Sequence, residues 1–412
     1  MSEVNQLKEK KTSTFKDVVK SNMRNYSIYI MLGVILFGFA IPTHGVNLSP
    51  RNITNLFIQN SYILILAVGM VMVIVIGNID LSVGSVTAFA GAIGAILYNA
   101  GIGLFATILL TIIVGMIIGA FQGYWIAYVR IPAFIVTLAG MNLFRGLTYI
   151  LTNVTPITPH DDTFKQVAIG CVSPEFLRIT HMVQKGAKTV EKDFHLLPLI
   201  VGVIAVLLII YIGFRGRNKK KKYGFHMLPV GFFILKMFVL SAIIMLLSIQ
   251  FARYRGIPIV FIILLLAVAI YTFITKNTVF GRYIYAVGGN AKSAKLSGIN
   301  SENVEFLVHI IMGAFCGLAG IIFTAYMNSA LPDAGNLFEL EAIASTFIGG
   351  ASASGGIGTI IGAIMGGLIL GIIKNGMSLQ NIGANWQYVV KALVLLLAVW
   401  YDIYTRKKSG TI

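Results

Sequence analysis

The sequence predicts an all-α fold, a polytopic transmembrane helical bundle of about 12 spans with N- and C-termini cytosolic. Three observations predict it. Hydrophobic residues make up 57% of the 412 residues and charged residues only 11%, with a mean hydropathy of +0.84. The apolar residues fall in repeated runs of roughly 17–25, the length that crosses a bilayer core as a helix. The 32 Lys and Arg residues crowd alternate links between those runs, as cytosolic loops do. The formal net charge of +17 is therefore spread by topology rather than along one face, and it does not point to nucleic acid. Two cysteines, Cys171 and Cys316, give neither a disulfide framework nor a metal-ligand spacing.

A basic tail, residues 1–25, precedes the first span at 26–42, and no small-residue cleavage pattern follows that run, so it reads as an uncleaved helix. The second span, 57–76, breaks at GNIDLS (77–82), and a third runs 83–97. Asp80 and Ser82 stand where one helix ends and the next begins, and both residue types satisfy unpaired backbone N–H groups there. The fourth span, 104–126, carries Gly115, Gly119 and Gly123 at four-residue spacing, a stripe that allows close helix approach. The fifth, 133–151, contains Asn142 and Arg145, which share a helix face. A mostly polar insert, 152–195, separates it from the sixth span, 196–214, which ends in a run of basic residues from Arg215 to Lys222. Spans at 228–248, 257–274 and 306–326 follow. The run 338–348 is short and opens with Glu339 and Glu341, so it is expected to be tilted, broken or re-entrant. A glycine–serine hinge, 349–358, leads to spans at 358–373 and 386–401 and a basic tail, 405–412.

With the N-terminus inside and twelve crossings, 20 Lys and Arg residues fall inside and 9 outside, while Arg145, Lys236 and Lys391 lie within spans. The permease domain so defined is 26–404, with 152–195 extracytoplasmic and 276–304 forming a cytosolic loop. A faint echo links Ser82–Val83–Gly84–Ser85 with Ser354–Gly355–Gly356, as in transporters with duplicated halves.

The polar island at 281–301 is the most distinctive stretch. Asn290 has the chemistry of a helix cap, and Gly298 that of a helix stop. Between them lies a short helix, expected to carry Ala291, Ser293 and Ala294 on its surface as a docking knob. A plain solvated loop would share this composition.

No phosphate-binding loop, zinc motif or nucleophile elbow is present, so no cofactor, metal or catalytic residue is expected. No paired carboxylates stand in a clear apolar span, which argues against a proton- or sodium-driven carrier. Intramembrane Arg145, with Asn142, is a candidate for a translocation path.

GNIDLSVGS (77–85), IPAFIVTLAGMNLFRG (131–146), GRYIYAVGGNAKSAKLSGIN (281–300) and ELEAIASTFIGGASASGG (339–356) together resemble the permease subunits of monosaccharide ABC importers. The similarity extends from about residue 52 to residue 404. The added pair of spans with its basic link is similar to xylose and multiple-monosaccharide permeases. IQNSYI (58–63), GYWIAY (123–128) and KKYGF (221–225) lean the same way. Asn78 and Ala353 sit where variation is expected.

The resemblance implies two permease copies in the cell (inner or plasma) membrane, ATPase subunits beneath, and an extracytoplasmic sugar-binding protein above. It implies transport of a pentose or hexose such as xylose, glucose, galactose or arabinose, with ATP hydrolysed on a separate chain. It places the ATPase-coupling element at Gly289, Asn290, Ala291, Ser293, Ala294, the Leu296–Ser297 pair and Gly298. Asp80, Ser82, Gly84 and Ser85 match the family signature. Asp333, Glu339 and Glu341 are candidates to meet the binding protein, together with the insert. Two alternatives stay open: a self-contained sugar carrier or facilitator, and a branched-chain amino-acid permease of similar architecture.

Overall fold

The computed structural model describes the backbone of residues 15–185, 188–223 and 229–408. Residues 1–14 of the expected N-terminal tail, 409–412 of the basic tail, and residue 228 at the expected start of the seventh span lie outside the described residues. The first helix, α1 (Phe15–Ala40), begins well before the expected span and takes in part of the expected tail.

Helix α2 (Pro50–Val75) is the axis of the bundle. Ser49 caps it by accepting a hydrogen bond from the Asn52 N–H, and Pro50 fills the first turn, where its missing N–H costs nothing. Its apolar side chains point in every direction, and 94% of its apolar window is buried, as expected of a helix that is hydrophobic all round. It is followed by α3 (Val83–Asn99), α4 (Leu104–Ala127) and α5 (Ala133–Thr152).

The insert is ordered rather than a featureless polar link. It holds α6 (Asp162–Ile169), the strand β1 (Cys171–Val172), and a hairpin of β2 (Arg178–Lys185) and β3 (Lys188–His195). Asp161 caps α6 and accepts a hydrogen bond from Tyr98 at the end of α3. β1 pairs with β4 (Ile257–Pro258), so two small antiparallel sheets qualify the all-helical expectation.

Next come α7 (Leu196–Lys222) and α8 (Val230–Ala252), an antiparallel pair that packs through Gly202 on Ser248 and Gly213 on Met237. Only 11% and 6% of their apolar windows are buried, so the pair is an appendage on the bundle. The chain then continues through α9 (Ile259–Asn277), α10 (Val279–Gly289), α11 (Ala291–Leu296), α12 (Ser301–Met327), α13 (Phe338–Ile348), α14 (Ile360–Leu379) and α15 (Ala384–Lys408). The expected loop at 276–304 is therefore mostly helical. Among the described residues, eight helices are long and apolar enough to cross a membrane, with shorter apolar helices at Ile28–Ala40, Val83–Asn99 and Ala384–Leu397.

The bundle is built of two halves that run in opposite directions. α2 ends near Gly288 and Gly356, on the island side, whereas α12 starts on that side and ends towards the insert, where Ala330 bridges to Ile157. Each of these long helices is followed by an irregular segment that turns back, and then by a short helix, α3 in one half and α13 in the other. The glycine stripe of α4 lies on α12: a Cβ on Gly115 would stand 2.1 Å from the Gly313 carbonyl oxygen, and one on Gly119 2.3 Å from that of His309. In the second half α14 lies on α2 in the same manner, with Gly367 on Leu64 and Gly371 on Asn60. Small residues at such contacts let backbones approach in a solvent that gives helices no hydrophobic reason to associate.

A further correspondence stands beside the expected one. GNIDLSVG (77–84) and GNLFELE (335–341) each follow a long helix and lead into a shorter one. Gly77 and Gly335 both take positive φ (92° and 75°), a conformation that glycine adopts without steric cost.

Candidate functional site

On the island side the chain forms a capped, single-turn helix. Asn290 Oδ1 accepts from the Ser293 N–H at 2.9 Å, and Gly298 (φ 84°) ends the turn. Ala291 and Ser293 are exposed, as expected from the sequence. Ala294 is not: only 5% is exposed, and it faces the bundle beneath the helix. The outward apex is Leu296, 90% exposed, flanked by Lys292, Lys295 and Ser297. In a helix this short, one turn decides which face is covered, and tertiary packing rather than composition chose Ala294.

The knob is braced. Lys295 Nζ and Arg130 Nη2 both reach Glu302 Oε1, at 2.7 and 2.6 Å, tying α11 to the α4–α5 turn through the first turn of α12. Tyr128 donates to Asn303 Oδ1 at 2.7 Å across the same gap. The hydrogen bond from Lys295, with Arg130 adding to it, lowers the Glu302 carboxyl from 4.5 to about 2. A cleft of about 370 Å³ lies between α11 and that turn, lined by Arg130, Pro132, Lys292, Lys295, Glu302 and Glu305 among others.

The second polar region lies within the bundle, where the two short helices begin. A Cβ on Gly84 would stand 2.1 Å from the Gly335 carbonyl oxygen and 2.5 Å from Glu339 Oε2. The first turns of α3 and α13 thus abut directly. Gly84 is about fifteen residues, roughly 23 Å, along α3 from the end that meets the insert. The junction is therefore deep, and Asp80 (4% exposed) and Glu339 (6% exposed) are buried within it. Glu339 lies within electrostatic reach of both Asp80 and Arg145. Neither acid stands in a clear apolar span, as expected, yet the two, one from each half and far apart in sequence, are both buried at the matching turns.

Asp80 Oδ1 accepts from the Ser82 N–H at 2.8 Å and lies 2.7 Å from Ser82 Oγ, which is itself 2.9 Å from the Gln122 side-chain amide. Ser82 has one hydroxyl proton. With that hydroxyl donating to Asp80 and the Gln122 amide turned so that Nε2 donates to Ser82 Oγ, both contacts of Ser82 are served by the one proton. This arrangement makes the 80–85 segment a structural clasp on α4.

Arg145 donates to Ser85 Oγ at 3.3 Å and lies within electrostatic reach of Tyr149, whose hydroxyl donates to Asp333 Oδ1 at 2.7 Å. Asn142 is exposed on the same stripe of α5 and donates back to the Leu138 carbonyl. Glu341 is elsewhere: it pairs with Lys391 of α15, the two side chains only 18% and 19% exposed. Of the three acids expected to face a partner, only Asp333 is exposed. Sequence reasoning missed Tyr149, one turn beyond Arg145 on the same face, and Gln122, the lone amide inside the glycine stripe of α4.

These features define a multi-pass membrane permease made of two opposed halves, with a braced helix projecting on one side. The chain belongs to the family described as branched-chain amino acid transport system / permease component, whose profile matches residues 52–399. It is 37% identical over 390 residues to the xylose transport system permease protein XylH of Escherichia coli, covering 93% of this chain and 94% of that one. It is 38% identical to the protein of the same name from Haemophilus influenzae, covering 94% and 98%. It is 32% identical to the ribose import permease protein RbsC of Escherichia coli, covering 85% of each chain. No solved structure matches it.

Proposed function

We propose that this chain is the membrane-spanning subunit of an ATP-driven importer of monosaccharides. Two copies form the path, a separate ATPase subunit grips the island side, and a sugar-binding protein delivers the solute at the insert. The similarity to xylose permeases over nearly the whole of both chains supports the substrate class. The observation that carries the mechanism is α11, a capped turn with an apolar apex, Leu296, held out by ion pairs to the α4–α5 turn. A large exposed apolar side chain on a rigid turn is suited to fill a pocket on a partner. The bracing would carry a push on α11 directly to α5, which bears the polar stripe. Twelve crossings with both termini inside follow if the short helices α3 and α13 each complete the passage of their half.

The test is Leu296→Arg, which leaves the buried Ala294 in place. It is expected to lower ATPase co-purification and uphill xylose uptake at least tenfold while the permease remains folded. The buried pair Asp80 and Glu339 favours one second reading, a self-contained carrier. Uptake by the reconstituted chain alone, driven by an ion gradient, would establish that reading and overturn the first.

A further inference from the structure

The segment between α12 and α13, residues 328–337, is irregular, and it descends from the insert side to the Gly84–Gly335 contact deep in the bundle. Part of it is open: Asp333 and Asn336 are exposed. Irregular backbone at membrane depth is tolerated only where protein buries it or where it borders a water-filled cavity. The exposed residues of this part are polar, which suits a border on water rather than on lipid. The stripe on α5 that faces it is polar in a helix otherwise apolar on its open side, with Asn142, Arg145 and Tyr149 at one-turn spacing. Three buried acceptors along the same return, Asn328 Oδ1, Ser329 Oγ and Glu339 Oε2, make no hydrogen bond within the protein.

We infer that Asn142, Arg145, Tyr149, Asp333 and Asn336 form a weak station on the translocation path for a neutral, polyhydroxylated ring. The chemistry selects that class. A sugar hydroxyl both donates and accepts, so it can give a proton to Asp333 while taking one from Arg145 or an amide. Tyr149 already donates to Asp333 with Arg145 within electrostatic reach, and a sugar hydroxyl can be exchanged into that pair, giving a hydrogen bond to Asp333 and taking one from Arg145. The open side of the strip keeps the station shallow, which lets the solute leave. This inference rests on the importer reading and names the side chains that would touch the cargo.

The test is saturation-transfer NMR on the full chain in nanodiscs, with D-xylose and L-leucine as probes. Transfer to the xylose ring protons is expected, with L-leucine silent. Asp333→Asn and Arg145→Gln should weaken the interaction about tenfold, the loss of one charged hydrogen bond, at an unchanged melting temperature. Tyr149→Phe, which keeps the ring and is least disturbing to packing, should give a smaller loss. Absence of transfer to xylose in the native chain, or full retention in all three variants, overturns the station. If the complete transporter still imports xylose in that case, the importer reading survives. Leucine uptake without xylose uptake would overturn both.

Discussion

The two halves of the molecule solve one problem with different chemistry. In each, a long helix ends, the chain turns back into the bundle on a left-handed glycine, and a short helix opens beside an acid: Asp80 before α3, Glu339 in the first turn of α13. The first half clasps its turn with neutral partners, Ser82 and Gln122. The second secures its short helix with an ion pair, Glu341 to Lys391. At the starts of the two long helices the same contrast holds. α12 is tied to the α4–α5 turn by the charged group of Arg130, Lys295 and Glu302, whereas α2 is tied to α14 by a reciprocal amide pair, Asn52 with Asn375 at 2.8 and 3.0 Å. The shape of the fold is thus shared between the halves, while the electrostatics are not, and the charged fastenings of α12 and α13 are where the second half can be perturbed separately.

The largest effect is expected where the two halves touch. Gly335→Ala would place a Cβ 1.9 Å from the Gly84 carbonyl oxygen at a φ of 75°, and Gly84→Ala would meet the Gly335 carbonyl oxygen at 2.1 Å. Each should cost more than about 3 kcal/mol, since backbone meets backbone and neither side can yield. Thermal unfolding in detergent measures it. Gly146→Ala, where a Cβ meets nothing within 4 Å, is the control and should be neutral or mildly stabilising. A loss at only one of the two touching glycines would break the reading of a shared backbone contact between the halves.

A smaller effect separates the halves. Glu341→Ala leaves Lys391 unpaired in a place where both side chains are about four-fifths covered, and it should cost about 3 kcal/mol. Glu341→Leu combined with Lys391→Met should recover most of that loss, because the charged pair fixes geometry more than it adds stability.

The smallest concerns the brace on α11. The Glu302 carboxyl is held at about 2 by Lys295 and Arg130, below its ordinary 4.5. Its contribution is therefore fully present above pH 4.5 and is lost as the pH falls towards 2. Protection of the α11 amides, taken relative to the intrinsic exchange rate at each pH, should be unchanged from pH 8 to 5 and should fall below that window. Glu302→Gln should abolish this dependence, with a stability change of only a few tenths of a kcal/mol because the cations are largely exposed. The Asn52–Asn375 tie should show no such transition.

The spans were legible because runs of apolar residues report burial in lipid directly. The cap at Asn290 and the stop at Gly298 were legible because their backbone geometry suits few other residues. The face of α11 was not: Ala294 and Leu296 are two positions apart, and only the packing of the short turn onto the bundle decides which is covered. Nor was the meeting of Asp80 with Glu339, or of Glu341 with Lys391, since helical periodicity carries no information about partners far away in the chain. The inward turn of 328–337 was hidden for a related reason. Its composition, with Pro332, Asp333, Gly335 and Asn336, is that of an ordinary surface link, and its depth is set by the glycine contact at its far end.

The α7–α8 pair has a use beyond its modest share of the packing. Touching little else, it floats at the level its own composition dictates, with about 28 Å of grease from Leu196 to Phe214 ending in the cationic collar of Arg215 to Lys222. It works as a draught mark on a hull. Labels along this hairpin would read the waterline of the molecule against the bilayer and so give an absolute scale for how far beneath the surface the two returning segments reach.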